Sequence, residues 1–355
     1  MIVINRGKKM KKYIIIITIL LIGNLLYAVD KINVVTTLST YADIVKYIAK
    51  DKVTVQYIVE GDQDAHFVRP KPSFAVLLSK ADLFVSTGLD LELWVPSLVD
   101  MSKNDNIRSG QQGFVAAYDG INLLDKPDVL SRSEGGLHIY GNPHITTSPL
   151  NLEIIAENIT IGLEKIDPQN SDFYRANLKK FQEEIDNKTF GEELVKLMGG
   201  TLLTKLANNG QLINFLKEKE YKGKKMIEYL GGWLKTALPF RDKKIVAYHK
   251  NWVYFQALFG FDIVGHVEPK PGIPPSPKHI EELVQEMRKN DVKVLLAANY
   301  FDENKVRTIC DKVGAEPVIV PMFVNGAPGT ENVFRLVDLW INKLNEAFMK
   351  MSQNQ

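Results

Sequence analysis

Two hydrophobic periods alternate along most of this chain. Apolar, β-branched runs at residues 32–36, 53–59 and 83–86 read as short strands. Between them, residues 40–49 place Ile44, Tyr47 and Ile48 on one face behind a Thr40 cap, and residues 73–80 form a second helical segment. Residues 102–140 are polar and Gly-rich with weak periodicity and read as a loop excursion. From Leu150 the pattern turns helical: Ile155, Ile159, Leu163 and Ile166 share a face, Asp167-Pro168 punctuates it, and Tyr174, Leu178, Phe181 and Ile185 resume it. That stretch is two helices or one interrupted helix. The alternation then returns, with strands at 244–248, 292–297 and 317–320 and helices at 254–259, 277–289, 302–313 and about 332–348. Strands alternating with helices imply parallel, doubly wound sheets. The chain therefore reads as an α/β lobe, a helical connector and a second α/β lobe. Open α/β sheets bind ligands beyond the carboxyl ends of their strands, so a cleft between the lobes is the expected site.

The first residues follow a different rule. Five cations (Arg6, Lys8, Lys9, Lys11, Lys12) precede an apolar run from Tyr13 to Ile22 and a small residue at Ala28, the layout of a secretory signal peptide cleaved near Ala28. The run is shorter than the roughly 20 apolar residues of a spanning helix. The expected division is 1–28 signal peptide, 29–149 N-terminal lobe, 150–190 connecting helix region, 191–242 helical insertion or linker, and 243–355 C-terminal lobe. Within the insertion, charged residues 217–225 read as a solvated segment with no assigned role.

Composition adds exclusions. The 355 residues are 45% hydrophobic and 24% charged, ordinary for a globular protein. The net charge is +2, and the five leader cations exceed it, so the remainder stands at −3 and offers no basic field for nucleic acid. The single cysteine, Cys310, permits no intramolecular disulfide and no cysteine-based zinc cage. No cysteine stands just after the leader, so a periplasmic protein that is not a lipoprotein is expected.

Of six histidines, three stand where a cleft would be lined. His66 lies in the polar loop after the strand ending at Val59, His144 in the Gly141-Asn-Pro-His turn before the long helical region, and His249 directly after the strand 244–248. Neutral imidazoles suit borderline divalent transition metals, and three of them leave one tetrahedral position open. His138 reads as a loop residue, His279 as a surface residue, and His266 as a possible hydrogen-bonding support for a ligand.

At these residues the sequence resembles the periplasmic zinc- and manganese-binding receptors of ABC importers, the cluster A-I family. Three blocks carry the resemblance: Asp64 to Ser73 with Ala81 to Glu92; Gly141 to His144 leading through Ser148-Pro149 into a helix; and Ala247 to Phe255 with Phe259 to Gly265 and Glu268 to Ser276. The resemblance implies two α/β lobes joined by one long rigid helix, with a metal site in the interlobe cleft. Its ligands would be His66 and His144 from the first lobe and His249 from the second. The cargo would be Zn2+ or Mn2+, passed by a monomeric, non-catalytic receptor to a membrane permease with its ATPase.

The departures bear on the metal. Arg69 and Ser148 stand where many members carry acids, and no C-terminal carboxylate matches, leaving water, Glu268, Asp302 or Glu331 for the fourth position. A three-histidine set with a missing acid favours zinc over manganese. Two rival readings are a three-histidine zinc hydrolase, against which stands the lack of an HExxH motif or a placed general base, and an exported adhesin with an incidental metal site.

Overall fold

The computed structural model describes residues 31–126, 139–270 and 272–353. The segment read as a signal peptide and His138 lie outside them.

In the first lobe, β1 (Ile32–Leu38), α1 (Ser39–Ala49), β2 (Val53–Val59), α2 (Pro72–Ser79), β3 (Leu83–Ser86), α3 (Val95–Ser102) and β4 (Phe114–Ala116) follow in order. The sheet runs β2-β1-β3-β4, and β3 pairs in parallel with β1 and β4. Every residue of β3 is buried, as expected of a central strand covered on both faces. β4 corrects the reading of residues 102–140 as a loop excursion alone. It is three residues long and at the sheet edge, too short to show a period against polar flanks. Thr40 corrects a second expectation. The helix begins one residue earlier without a side-chain cap, and the Thr40 hydroxyl instead accepts from Val324 N at 3.3 Å.

α4 (Pro149–Ile166) and α5 (Ser171–Phe190) are the helical region, broken at the Asp167-Pro168 punctuation by a short 3-10 turn. The connector is α5, whose 20 residues span about 30 Å. It is fixed to both lobes. Asn177 donates to Ile48 O on α1 and Tyr47 donates to Glu184, while Lys188 pairs with Asp338 in the second lobe.

Next come α6 (Glu192–Met198), α7 (Gly200–Asn208), α8 (Leu212–Glu218), the exposed hairpin β5 (Glu220–Tyr221) and β6 (Lys224–Lys225), and α9 (Gly232–Thr236). The second lobe holds β7 (Lys244–Ala247), α10 (Val253–Phe259), β8 (Asp262–His266), α11 (Pro277–Lys289), β9 (Val294–Ala298), α12 (Glu303–Val313), β10 (Glu316–Val320) and α13 (Val333–Gln353). Its sheet runs β10-β9-β7-β8, all pairs parallel. In both sheets the chain winds one way from the first strand and then the other, giving switch points at β1/β3 and β7/β9 where crevices open.

The lobes are also joined directly. Ser39 donates to Val324 O at 2.7 Å, and Val333 N at the start of α13 donates to Asp43 at 2.8 Å. A Cβ on Gly61 would fall 2.2 Å from Gly326 N, so no larger residue fits at that crossing.

One half-buried acid marks the joint of α4, α5 and the insertion. Burial, with Asp186 nearby, pushes the Glu153 carboxyl up to about 9, and its Oε1 is buried without a hydrogen-bond partner. Asp186 in turn accepts from Thr204 of α7. Folded Glu153 is thus protonated while the unfolded carboxyl ionises in its ordinary range near 4.5, so its contribution to stability is full below that value and is lost as pH rises toward 9. Glu153→Gln is expected to raise stability at pH 8 by about 1–3 kcal/mol and to flatten the decline between pH 5 and 9, read by urea unfolding. An unchanged pH profile would show that Glu153 is ionised in the fold.

Candidate metal centre

Each of the three cleft histidines is positioned by its own local device. His66 sits in a 3-10 turn (Ala65–Phe67) after β2, held down by Trp94, whose indole N–H donates to Ala65 O at 2.8 Å. Asp64 closes an Asx turn around it: one carboxylate oxygen takes the backbone N–H of His66 at 3.0 Å and faces its ring Nδ1 at 2.7 Å. His144 repeats the arrangement with an amide, Asn142 Oδ1 accepting from His144 N at 3.0 Å and facing Nδ1 at 2.9 Å. Gly141 enters this turn at φ +129, a conformation side-chain-bearing residues rarely adopt.

His249 follows β7, where the β7–β8 ladder continues through Val267 N to Ala247 O and Glu268 N to Tyr248 O. That pairing draws Glu268 alongside, and its Oε2 lies 2.6 Å from His249 Nδ1 while its other oxygen accepts from Gly272 N at 2.7 Å. Stacking of Tyr248 on Phe301, centroids 4.0 Å apart, fixes the adjoining backbone.

The three rings converge between the lobes. Their centroids are 5.2 Å (66–144), 5.6 Å (66–249) and 5.3 Å (144–249) apart, and one ring nitrogen from each lies within 4.8 Å of the other two. Among the described residues no other group of three or more His, Cys, Asp or Glu side chains could hold an ion. With every Nδ1 engaged by an oxygen, Nε2 is the nitrogen each ring presents to the centre. His249 Nε2 is buried and has no hydrogen-bond partner, a costly state for a polar atom unless something occupies the centre. Tying Nδ1–H to an oxygen acceptor fixes ring tautomer and orientation, as ligating histidines require.

The surrounding charge fits a cation. Burial raises the Asp64 pKa, but hydrogen bonds and charge from His66 outweigh it and hold the carboxyl below its ordinary range. The loops are also tied across the cleft. Asn142 Nδ2 donates to Lys250 O, Thr147 donates to Asn251 O, and Tyr254 donates to Asn142 O.

The three acids considered for the fourth position are committed elsewhere: Glu268 to His249 and Gly272, Asp302 to the N–H of Lys305 as the cap of α12, and exposed Glu331 to Arg335 and Gly329 N. The support behind His249 comes from Glu268. Burial, then Lys250 and His249, push the His266 pKa down to about 4, and its carbonyl is the hydrogen-bond partner of His279 Nε2 at 3.0 Å. His279 is accordingly half-buried and anchored, not a free surface residue. Sequence reasoning missed Asp64 and Asn142 as orienting groups, although both stand two residues before their histidine.

Most of this chain is similar to known proteins. The family model for the periplasmic zinc-uptake complex component A (ZnuA) matches residues 34–191 and 218–347, leaving 192–217, the helices α6 to α8, outside it. The manganese ABC transporter substrate-binding lipoprotein PsaA of Streptococcus pneumoniae is 26% identical over 300 residues, covering 83% of this chain and 81% of that protein. The high-affinity zinc uptake system protein ZnuA of Bacillus subtilis is 24% identical over 291 residues, covering 81% and 76%. A crystal structure of ZnuA superposes with a TM-score of 0.65 at 20% identity, over 90% of this chain and all of that one. The Mn-bound periplasmic metal binding protein from Candidatus Liberibacter asiaticus gives 0.63 at 21%, with the same coverage.

Glu268→Gln keeps the size of the side chain and removes the charge that orients His249. Affinity for a divalent transition metal is expected to fall about 10–100-fold with stoichiometry unchanged, read by competition against a chromogenic chelator. Parent-like affinity would show that Glu268 does not orient the ring.

Proposed function

The chain belongs to the zinc-uptake complex component A family, and from that premise we propose that it captures zinc through His66, His144 and His249 and delivers it to an ABC importer. The coarser part of this statement comes with the family: a non-enzymatic, extracytoplasmic binding component for zinc or manganese. The finer part, zinc over manganese, rests on the donor set. The observation that carries it is the convergence of three imidazoles with no acid among the described residues joining them. Imidazole nitrogen suits zinc, whereas manganese favours carboxylate, carbonyl and water oxygens.

The mechanism is chelation. A dication between the rings draws loops from both lobes onto one centre, and Asp64 and Glu268 behind two of the rings offset its charge. Both carboxylates face an Nδ1, so they orient ligands and neither is placed to activate a water, which favours a receptor over a hydrolase. The partner is a membrane permease with its ATPase. The sole cysteine, Cys310, is 1% exposed in the second lobe, which accords with a protein not anchored through a lipidated cysteine.

Protein purified without chelators and titrated with each ion is expected to bind one equivalent, with zinc at least about tenfold tighter than manganese. The double variant His66→Ala, His249→Ala is expected to lose it. Tighter manganese would overturn the zinc assignment, and undiminished binding by the double variant would overturn the ligand set. Because an imidazole must be neutral to bind, zinc affinity is expected to weaken steadily as the solution is acidified from pH 7.5 to 5.5; a flat profile would contradict a three-imidazole centre.

A further inference from the structure

Three imidazoles leave a tetrahedral ion one position short, and no acid among the described residues shares the centre. The switch-point crevice of the second sheet holds another polar group. β9 ends at Ala298, and the three residues after it are each anchored. Asn299 Nδ2 donates to Gly326 O at 2.9 Å, Phe301 stacks on Tyr248 and lies 6.2 Å from the His249 ring, and the Tyr300 hydroxyl accepts from Asn251 Nδ2 at 2.8 Å.

Asn251 is itself a junction. It is fully buried, two residues beyond His249, and its carbonyl takes the hydroxyl of Thr147, three residues beyond His144. The phenol thus joins the network tying two of the histidine loops together. Burial raises the Tyr300 pKa well above its ordinary value, and the charges of Asp64 and Glu268 act on it in the same direction, although these acids stand behind different histidines. The hydroxyl is therefore a neutral donor that keeps its proton, with one lone pair engaged by Asn251.

Spare acceptors lie in the same crevice. Asn251 Oδ1 and Asn299 Oδ1 are buried without hydrogen-bond partners, and such atoms in native proteins are commonly satisfied by an ordered water or an ion.

We propose that Tyr300, held by Asn251, is a positioning residue of the metal centre, its hydroxyl donating a hydrogen bond to the water that completes the ion's coordination where a protein carboxylate is missing. This rests on the reading of His66, His144 and His249 as the ligands. It also bears on selectivity, since a neutral phenol and amide oxygens hold one water for a four-coordinate ion but add no anionic oxygen for a harder one.

The test is Tyr300→Phe, which keeps the ring that packs 4.7 Å from Phe301 and removes only the hydroxyl. Zinc affinity is measured by chelator competition, and the visible absorption of the Co2+-loaded protein reports coordination geometry. The variant is expected to bind one zinc about 10–100-fold more weakly, with an altered cobalt band and an unchanged metal-free melting temperature. A parent that binds zinc beside a variant with parental affinity and cobalt spectrum overturns the role of Tyr300 alone. A parent that takes up no zinc overturns the ligand assignment and this proposal with it.

Discussion

Three imidazoles whose ring nitrogens lie within 4.8 Å of one another are the constraint around which the cleft is organised. His249 packs edge to face against both other rings, and its Nε2 is buried without a hydrogen-bond partner, a state that costs about 1–3 kcal/mol. The arrangement persists because each ring is held from behind. Two carboxylates and an amide face the outer nitrogens, and backbone N–H groups are gathered by the same side chains. The centre is pre-organised, which suits a site whose occupant is a small dication.

The fold supplies what that centre needs. Parallel sheets put loop-borne side chains at strand ends, and the reversal of winding at β1/β3 and β7/β9 opens a crevice in each lobe. The two crevices meet because α5 touches both lobes and because Ser39, Asp43 and Gly61 of the first lobe contact the Val324–Val333 region of the second. With the lobes tied at several points, a wide hinge opening would have to break these contacts. The insertion α6 to α8, outside the family match, packs beside α5, and its α7 also touches α10.

Much of this was legible from residue order. Alternating periods gave two α/β lobes and a helical connector, since buried parallel strands and amphipathic helices leave distinct patterns. The three histidines were legible because each follows a strand or a Gly/Pro turn. The three-residue edge strand β4 was not, because so short a segment carries no period. Nor was the pairing of His249 with Glu268, which depends on the β7–β8 ladder bringing together residues 19 positions apart. Thr40 shows the limit of capping rules: a good cap residue at a helix start was taken by a tertiary contact with Val324. By contrast, Asp64-Ala-His66 and Asn142-Pro-His144 share one local signature, an Asx residue two positions before the ligand, and both form the same turn.

The central claim is that the converging Nε2 atoms of His66, His144 and His249 receive the cargo. Zinc-edge anomalous diffraction from crystals of the zinc-loaded protein tests it most directly. The account predicts a single strong peak about 2.0–2.1 Å from all three Nε2 atoms, with each Nδ1 still on Asp64, Asn142 or Glu268. A peak elsewhere, or one coordinated through Nδ1 or directly by Glu268, would contradict it.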